Sequence, residues 1–88
     1  MSESPDSAEQ LVDELRKAKV SDLLLQTCSL VGSLAFGKLA ADVRDLDQAR
    51  LAIDALKALA PLLEDAPRRD VQQLIANLQL AYAEAAAT

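Results

Sequence analysis

The stretch that most constrains this chain is residues 23–40, LLLQTCSLVGSLAFGKLA, in which fifteen consecutive residues from Leu23 onward carry no charge. Wound into a helix at about 100° per residue, its polar members Gln26, Ser29 and Ser33, with Asp22 just before them, fall in one stripe about 60° wide. Leucines, Val31, Cys28, Ala35 and Phe36 take the rest of the circumference. A helix that is apolar nearly all round must be covered nearly all round. The remainder of the chain, or a second copy of it, is therefore expected to wrap this segment.

With 88 residues, of which half are apolar and only Phe36 and Tyr82 are aromatic, the core has to be aliphatic. Two glycines and three prolines supply little turn material, which favours a few long helices over many strands. A chain this short buries only ~60 to 70% of the surface its unfolded form exposes, so its stability margin is thin and oligomerisation would widen it.

The remaining helices can be placed from their start and stop signals. Ser4 before Pro5, or Ser7 with Gln10 three residues on, opens a first amphipathic helix, about residues 7–19, whose face is Leu11, Leu15 and Ala18 with Ala8 and Val12 beside it. Residues 1–6 read as a disordered acidic tail. Ser21 or Asp22 can cap the second helix, about 21–40. If the two helices ran on straight, the Leu11/Leu15 stripe would continue into the Gln26/Ser29/Ser33 stripe, so either a bend redirects the first helix onto its neighbours, the favoured reading, or the early half of a straight helix meets a different partner surface.

Asp45 with Gln48 is a capping-box pattern for a third helix, about 46–60. Its Leu46, Ala49, Ile53, Leu56, Ala60 and Leu63 alternate steps of three and four, the spacing of a seam packed in a bundle. Pro61 should end that helix near Leu59, with Leu62 and Leu63 closing the core from an irregular turn. A fourth helix, about 67–85, puts Val71, Leu74, Ile75, Leu78, Ala81, Tyr82 and Ala85 on one face, leaves Leu80 opposite, and should fray at its alanine-rich end. The expected fold is all-α: a small bundle of three to four helices in one domain, residues 7–88.

Three blocks in this order resemble the bacterial family catalogued as domain of unknown function 1844. Ser29, Leu30, Ser33 and Leu39 match its Ser-Leu-rich apolar helix. Leu46, Ala49, Ile53, Asp54, Leu56 and Leu59 match its Leu-x-x-Ala-x-x-x-Ile-Asp-x-Leu helix, and Leu74, Ile75, Leu78 and Tyr82 the helix ending in Leu-x-x-x-Tyr. The resemblance spans residues 20–85 and implies a short helical protein without a known activity. The chain departs from it at Ala40, where a glycine is usual, at Gln79 in place of an arginine, and in APLLEDAPRRD, which replaces a Lys-Thr-x-Gly-Asn-Leu connection.

The residue inventory argues against chemistry. There is no histidine and one cysteine, so neither a zinc site nor a Cys-His nucleophile can be assembled. Gly32 and Gly37 lie inside a helix rather than a phosphate loop. No catalytic, cofactor-binding or metal-binding residues are expected, and no cofactor or small-molecule substrate. Asp54, with Arg50 and Lys57 a turn away on either side, reads as a solvated face of weak ion pairs.

Net charge is −5, and all of the excess lies in the first fourteen residues, which hold Glu3, Asp6, Glu9, Asp13 and Glu14 and no basic residue. The only adjacent basic pairs are Arg16/Lys17 and Arg68/Arg69, short of the basic stripe that nucleic-acid binding requires. No secretory pattern opens the chain, the uncharged run is shorter than the ~20 residues of a membrane span, and a lone cysteine fits a reducing compartment. These features predict a cytoplasmic, non-catalytic module that binds a protein partner or a second copy of itself. Two small-residue rows, Ser29/Ser33/Gly37 and Cys28/Gly32/Phe36, could admit a close helix crossing. With Leu25 at the apolar edge and Leu80 on the fourth helix, the expected interaction surface is Leu25, Ser29, Gly32, Ser33, Phe36, Gly37 and Leu80.

Overall fold

A computed structural model describes residues 5–87. It contains four α-helices, α1 (Pro5–Lys17), α2 (Val20–Leu39), α3 (Leu46–Leu59) and α4 (Asp65–Ala87), with one short 3₁₀ turn (Ala60–Leu62) between α3 and α4. No strand occurs among the described residues, so the all-α class is as the sequence predicts.

Each boundary has a local cause. Pro5 opens α1 where its fixed φ suits a first helical turn, two residues before the expected start, so that only residues 1–4 of the expected tail lie outside the described residues. The bend between α1 and α2 falls at Ala18 and Lys19. Neither Ser21 nor Asp22 caps α2. The N-cap is Lys19, extended at ψ 139°, whose carbonyl accepts from the Asp22 and Leu23 amides at 3.1 and 3.2 Å. The α3 cap is half of the expected box. Asp45 Oδ1 accepts from the Gln48 amide at 3.2 Å, while the Asp45 amide donates to the Lys38 carbonyl at 2.7 Å and is thus already satisfied. Pro61 ends α3 at Leu59 as expected, and the chain tightens into the 3₁₀ turn before Leu63.

The core belongs to α2, α3 and α4. On α3 the expected seam is the buried one: Ala49, Ile53, Leu56, Ala60 and Leu63 are all buried, with Leu46 packed at its edge. Of the two leucines after Pro61 only Leu63 turns inward, and Leu62 is exposed. On α4 the buried residues are Val71, Ile75, Leu78 and Ala85, with Leu74, Ala81 and Tyr82 packed beside them. The last turns of α4 do not fray. Arg44 Nη1, from the connection between α2 and α3, donates to the Ala85 carbonyl at 3.4 Å, and α4 remains helical to Ala87. That bond also places the end of α4 beside the end of α2, so α4 runs parallel to α2 and antiparallel to α3.

The crossing of α2 on α4 is set by Gly32. A Cβ built there would lie 2.5 Å from Leu74 Cδ2 and 3.2 Å from Leu74 Cγ, so the leucine side chain occupies the volume that any other residue would need. Gly37, by contrast, has nothing within 4 Å of a Cβ position.

Helix α1 stays out of this core. Every residue from 7 to 20 is exposed, and none joins the buried cluster. The radius of gyration is accordingly 16.7 Å, against about 12 Å for a compact chain of this length. Within the described residues the structure is a three-helix core preceded by an amphipathic helix that stays outside it.

The two glycines should respond oppositely to alanine. Gly37→Ala removes backbone entropy at an open site and is expected to raise stability by about 0.5–1 kcal/mol. Gly32→Ala has the same propensity gain but must displace Leu74, and is expected to lower stability by about 1 kcal/mol. Urea unfolding of the two variants checks both signs.

Candidate interaction surface

The faces of α2 define what the molecule offers to a partner. Its buried residues Cys28, Gly32, Ala35 and Leu39 recur in steps of four and three, and Leu24, Leu25 and Val31 flank them at half burial. Only one side of the helix is therefore covered. On the far side Leu23, Thr27, Leu30, Leu34 and Gly37 recur in steps of four, three, four and three, all exposed. Leu23 is 53% exposed, Leu30 71% and Leu34 60%.

This second stripe has the spacing of a helix-packing seam and meets no partner among the described residues. It is continuous with a shallow groove of about 200 Å³ between α2 and α3, lined by Val31, Leu34, Ala35, Leu51, Ala52 and Ala55 with Lys38 and Gln48 at its polar edge. Leu51 adds a further exposed leucine to that groove.

The residues singled out in the sequence divide between the interior and the surface. Gly32 is buried against Leu74, and its small size serves the internal crossing with α4 rather than an outside partner. Leu25 likewise packs against the core. Ser29 is exposed, and its hydroxyl donates back to the Leu25 carbonyl at 3.1 Å, as that of Thr27 does to Leu23 at 2.8 Å. Ser33, Phe36 and Gly37 are exposed on α2. Leu80 is exposed on the side of α4 opposite its buried residues, and so is not joined to the α2 surface. Leu23, Leu30, Leu34 and Leu51 were not among the expected surface residues. Leu23, Thr27, Leu30 and Leu34 share the four-three spacing of the buried row, so spacing alone does not mark them as the outward side.

Two further expectations change here. Helix α2 is 20 residues long although its uncharged run is shorter, because Asp22 and Lys38 sit within its end turns. It is thus long and apolar enough to cross a membrane by length and composition, and 17% of its most apolar window is buried inside the fold. Around Asp54 the expected ion pairs do not form. The ion pairs among the described residues are Arg16 with Asp13 at 3.9 Å and Arg68 with Asp65 at 2.6 Å, and Asp54 is left to solvent.

No group of three or more His, Cys, Asp or Glu side chains is placed to hold a metal ion among the described residues. Tyr82 is half-buried at the rim of the core. Cys28 is fully buried among α2 core residues, and removal from water pushes its thiol above the ordinary value of 9.0.

No protein-family model, curated protein or solved structure matches this chain.

A buried, protonated thiol is a poor nucleophile. Native protein at pH 8 is expected to leave Cys28 unmodified by a disulfide-exchange chromophore, with one thiol titrating once guanidinium unfolds the chain; rapid reaction of the folded protein would contradict this burial. Above pH 9.0 the unfolded thiol ionises while the folded one keeps its proton, so stability from this group is unaffected below that pH and falls as pH rises past it.

Proposed function

We propose that this chain is a non-catalytic helical interaction module of a reducing compartment such as the cytoplasm, working as a homo-oligomer. The carrying observation is that the most apolar helix of the chain is covered on one side only. A three-helix core has consumed the seams of α3 and α4, and the Leu23/Leu30/Leu34 face with its groove beside Leu51 is left over. Contiguous exposed apolar surface of this kind marks association sites in soluble proteins. The absence of histidine from the sequence and the burial of the single cysteine support a role in binding rather than catalysis. Membership in the family that the three sequence blocks resemble is proposed on those blocks.

A second reading is favoured by the length and exposure of α2: the same face could rest on a lipid surface. The lack of a basic face and of flanking aromatic anchors, with the acidic N-terminal segment, weighs against it.

Light scattering coupled to gel filtration at tens of micromolar is expected to give a dimer, about twice the 9.4 kDa chain mass. A monomer across that range would sink the homo-oligomeric reading, and co-flotation of such a monomer with neutral liposomes would move the assignment to the lipid surface.

A further inference from the structure

Helix α1 and the outer face of α2 each leave an apolar stripe without a partner. On α1 the stripe is Ala8, Leu11, Val12, Leu15 and Ala18, all exposed. On α2 it is Leu23, Thr27, Leu30 and Leu34. Their lengths agree. At the helical rise, Ala8 to Ala18 spans about 15 Å and Leu23 to Leu34 about 17 Å.

The areas agree as well. The chain exposes 6492 Å², whereas a compact monomer of this mass exposes about 5,000 Å². The excess of roughly 1,500 Å² exceeds the ~800 Å² that each partner of a stable complex buries.

Lys38 is the charged residue lining the groove beside Leu34; Glu14 borders the α1 stripe on one side, and Glu9 with Arg16 on the other.

The junction directs α1 away from its own bundle. The Ala18 amide still donates to Glu14 at 3.0 Å, and the Lys19 carbonyl is engaged by the first amides of α2. Only these two residues separate the helices, and with those bonds made the α1 stripe does not reach the outer face of its own α2.

We propose that α1 of each chain docks on the outer face of α2, with the adjoining α2–α3 groove, in a second copy of the same chain, so that two chains exchange their first helices reciprocally. This deepens the homo-oligomeric reading and rests on it. A two-fold arrangement satisfies both stripes at once, and exchange of an identical element is a low-cost route to a dimer. The occupant is thus the chain's own acidic helix, and both chains contribute to each of the two seats.

The test uses full-length Leu15→Glu and Leu30→Glu variants, with Leu80→Glu as control. All three side chains are exposed in the single chain, so each variant is expected to keep the helical circular dichroism and unfolding midpoint of the isolated fold. In sedimentation equilibrium, Leu15→Glu and Leu30→Glu are each expected to weaken dimerisation at least tenfold, and Leu80→Glu to leave it unchanged. Dissociation by Leu30→Glu but not by Leu15→Glu would overturn the exchange of α1 and leave the dimer standing. A monomeric parent chain would remove both readings together. As a measurement of proximity, Leu15→Cys chains mixed with Leu30→Cys chains are expected to form a mixed disulfide dimer on mild oxidation, because the two positions lie at the centres of the two stripes. Recovery of homodimeric disulfides alone would overturn the exchange.

Discussion

The fold depends on how closely α2 can approach its neighbours, and small side chains set that distance. Cys28, Gly32 and Ala35 line the buried side of α2, Ala49 and Ala60 that of α3, and the side chain of Leu74 fills the place where Gly32 has no Cβ. With no tryptophan and two other aromatic residues in the chain, there are few large side chains to fill gaps between helices. The core gains its contacts by bringing backbones together instead. This economy has a geometric consequence. A face of small residues buries well against two helices but leaves the larger leucines of the same helix on the outside, since they cannot occupy the close crossing.

Much of this was legible in the sequence because α3 and α4 have one good face each. On α3 the seam from Leu46 to Leu63 had no competitor, and Asp45 and Pro61 marked its ends with defined backbone chemistry. The orientation of α2 was harder to read. Leucines surround that helix, so periodicity could not choose between Cys28/Gly32/Ala35/Leu39 and Leu23/Thr27/Leu30/Leu34 as the inward side. The choice is made by contacts from α4, sixty or so positions from the start of α2 at its far end, and no local signal carries them. For the same reason Gly32 read as a surface feature. Smallness shows that something comes close, without showing whether it comes from the same chain. The alanine-rich end of α4 was expected to fray because alanine makes few contacts there, and the Arg44 bond to Ala85 comes from a loop forty-one residues away in sequence.

Helix α1 shows the limit of amphipathicity as a guide. Its stripe of Leu11, Val12 and Leu15 resembles the inward face of a fourth bundle helix, yet all three remain in water in the single chain. Periodicity reports that a helix has a side to bury and is silent on where. The bend at Ala18 and Lys19 decides that, and its cause is the extended Lys19, which closes the N-terminus of α2 through its carbonyl while redirecting the chain.

The uneven distribution of charge bears on how such a molecule survives with an apolar face in water. Acids and bases are equal in number from residue 15 onward, but Arg16, Lys17 and Lys19 precede α2, so the bundle from Val20 carries nine acids against six bases, a net −3. Its contacts join α2 with α3, α3 with α4 and α2 with α4, and helical bundles of this kind fold within microseconds to milliseconds. The net charge of −5 is thus shared between the bundle and the segment before it, and like charge on every copy opposes indiscriminate contact. Added salt screens that repulsion and should favour clumping over solubility.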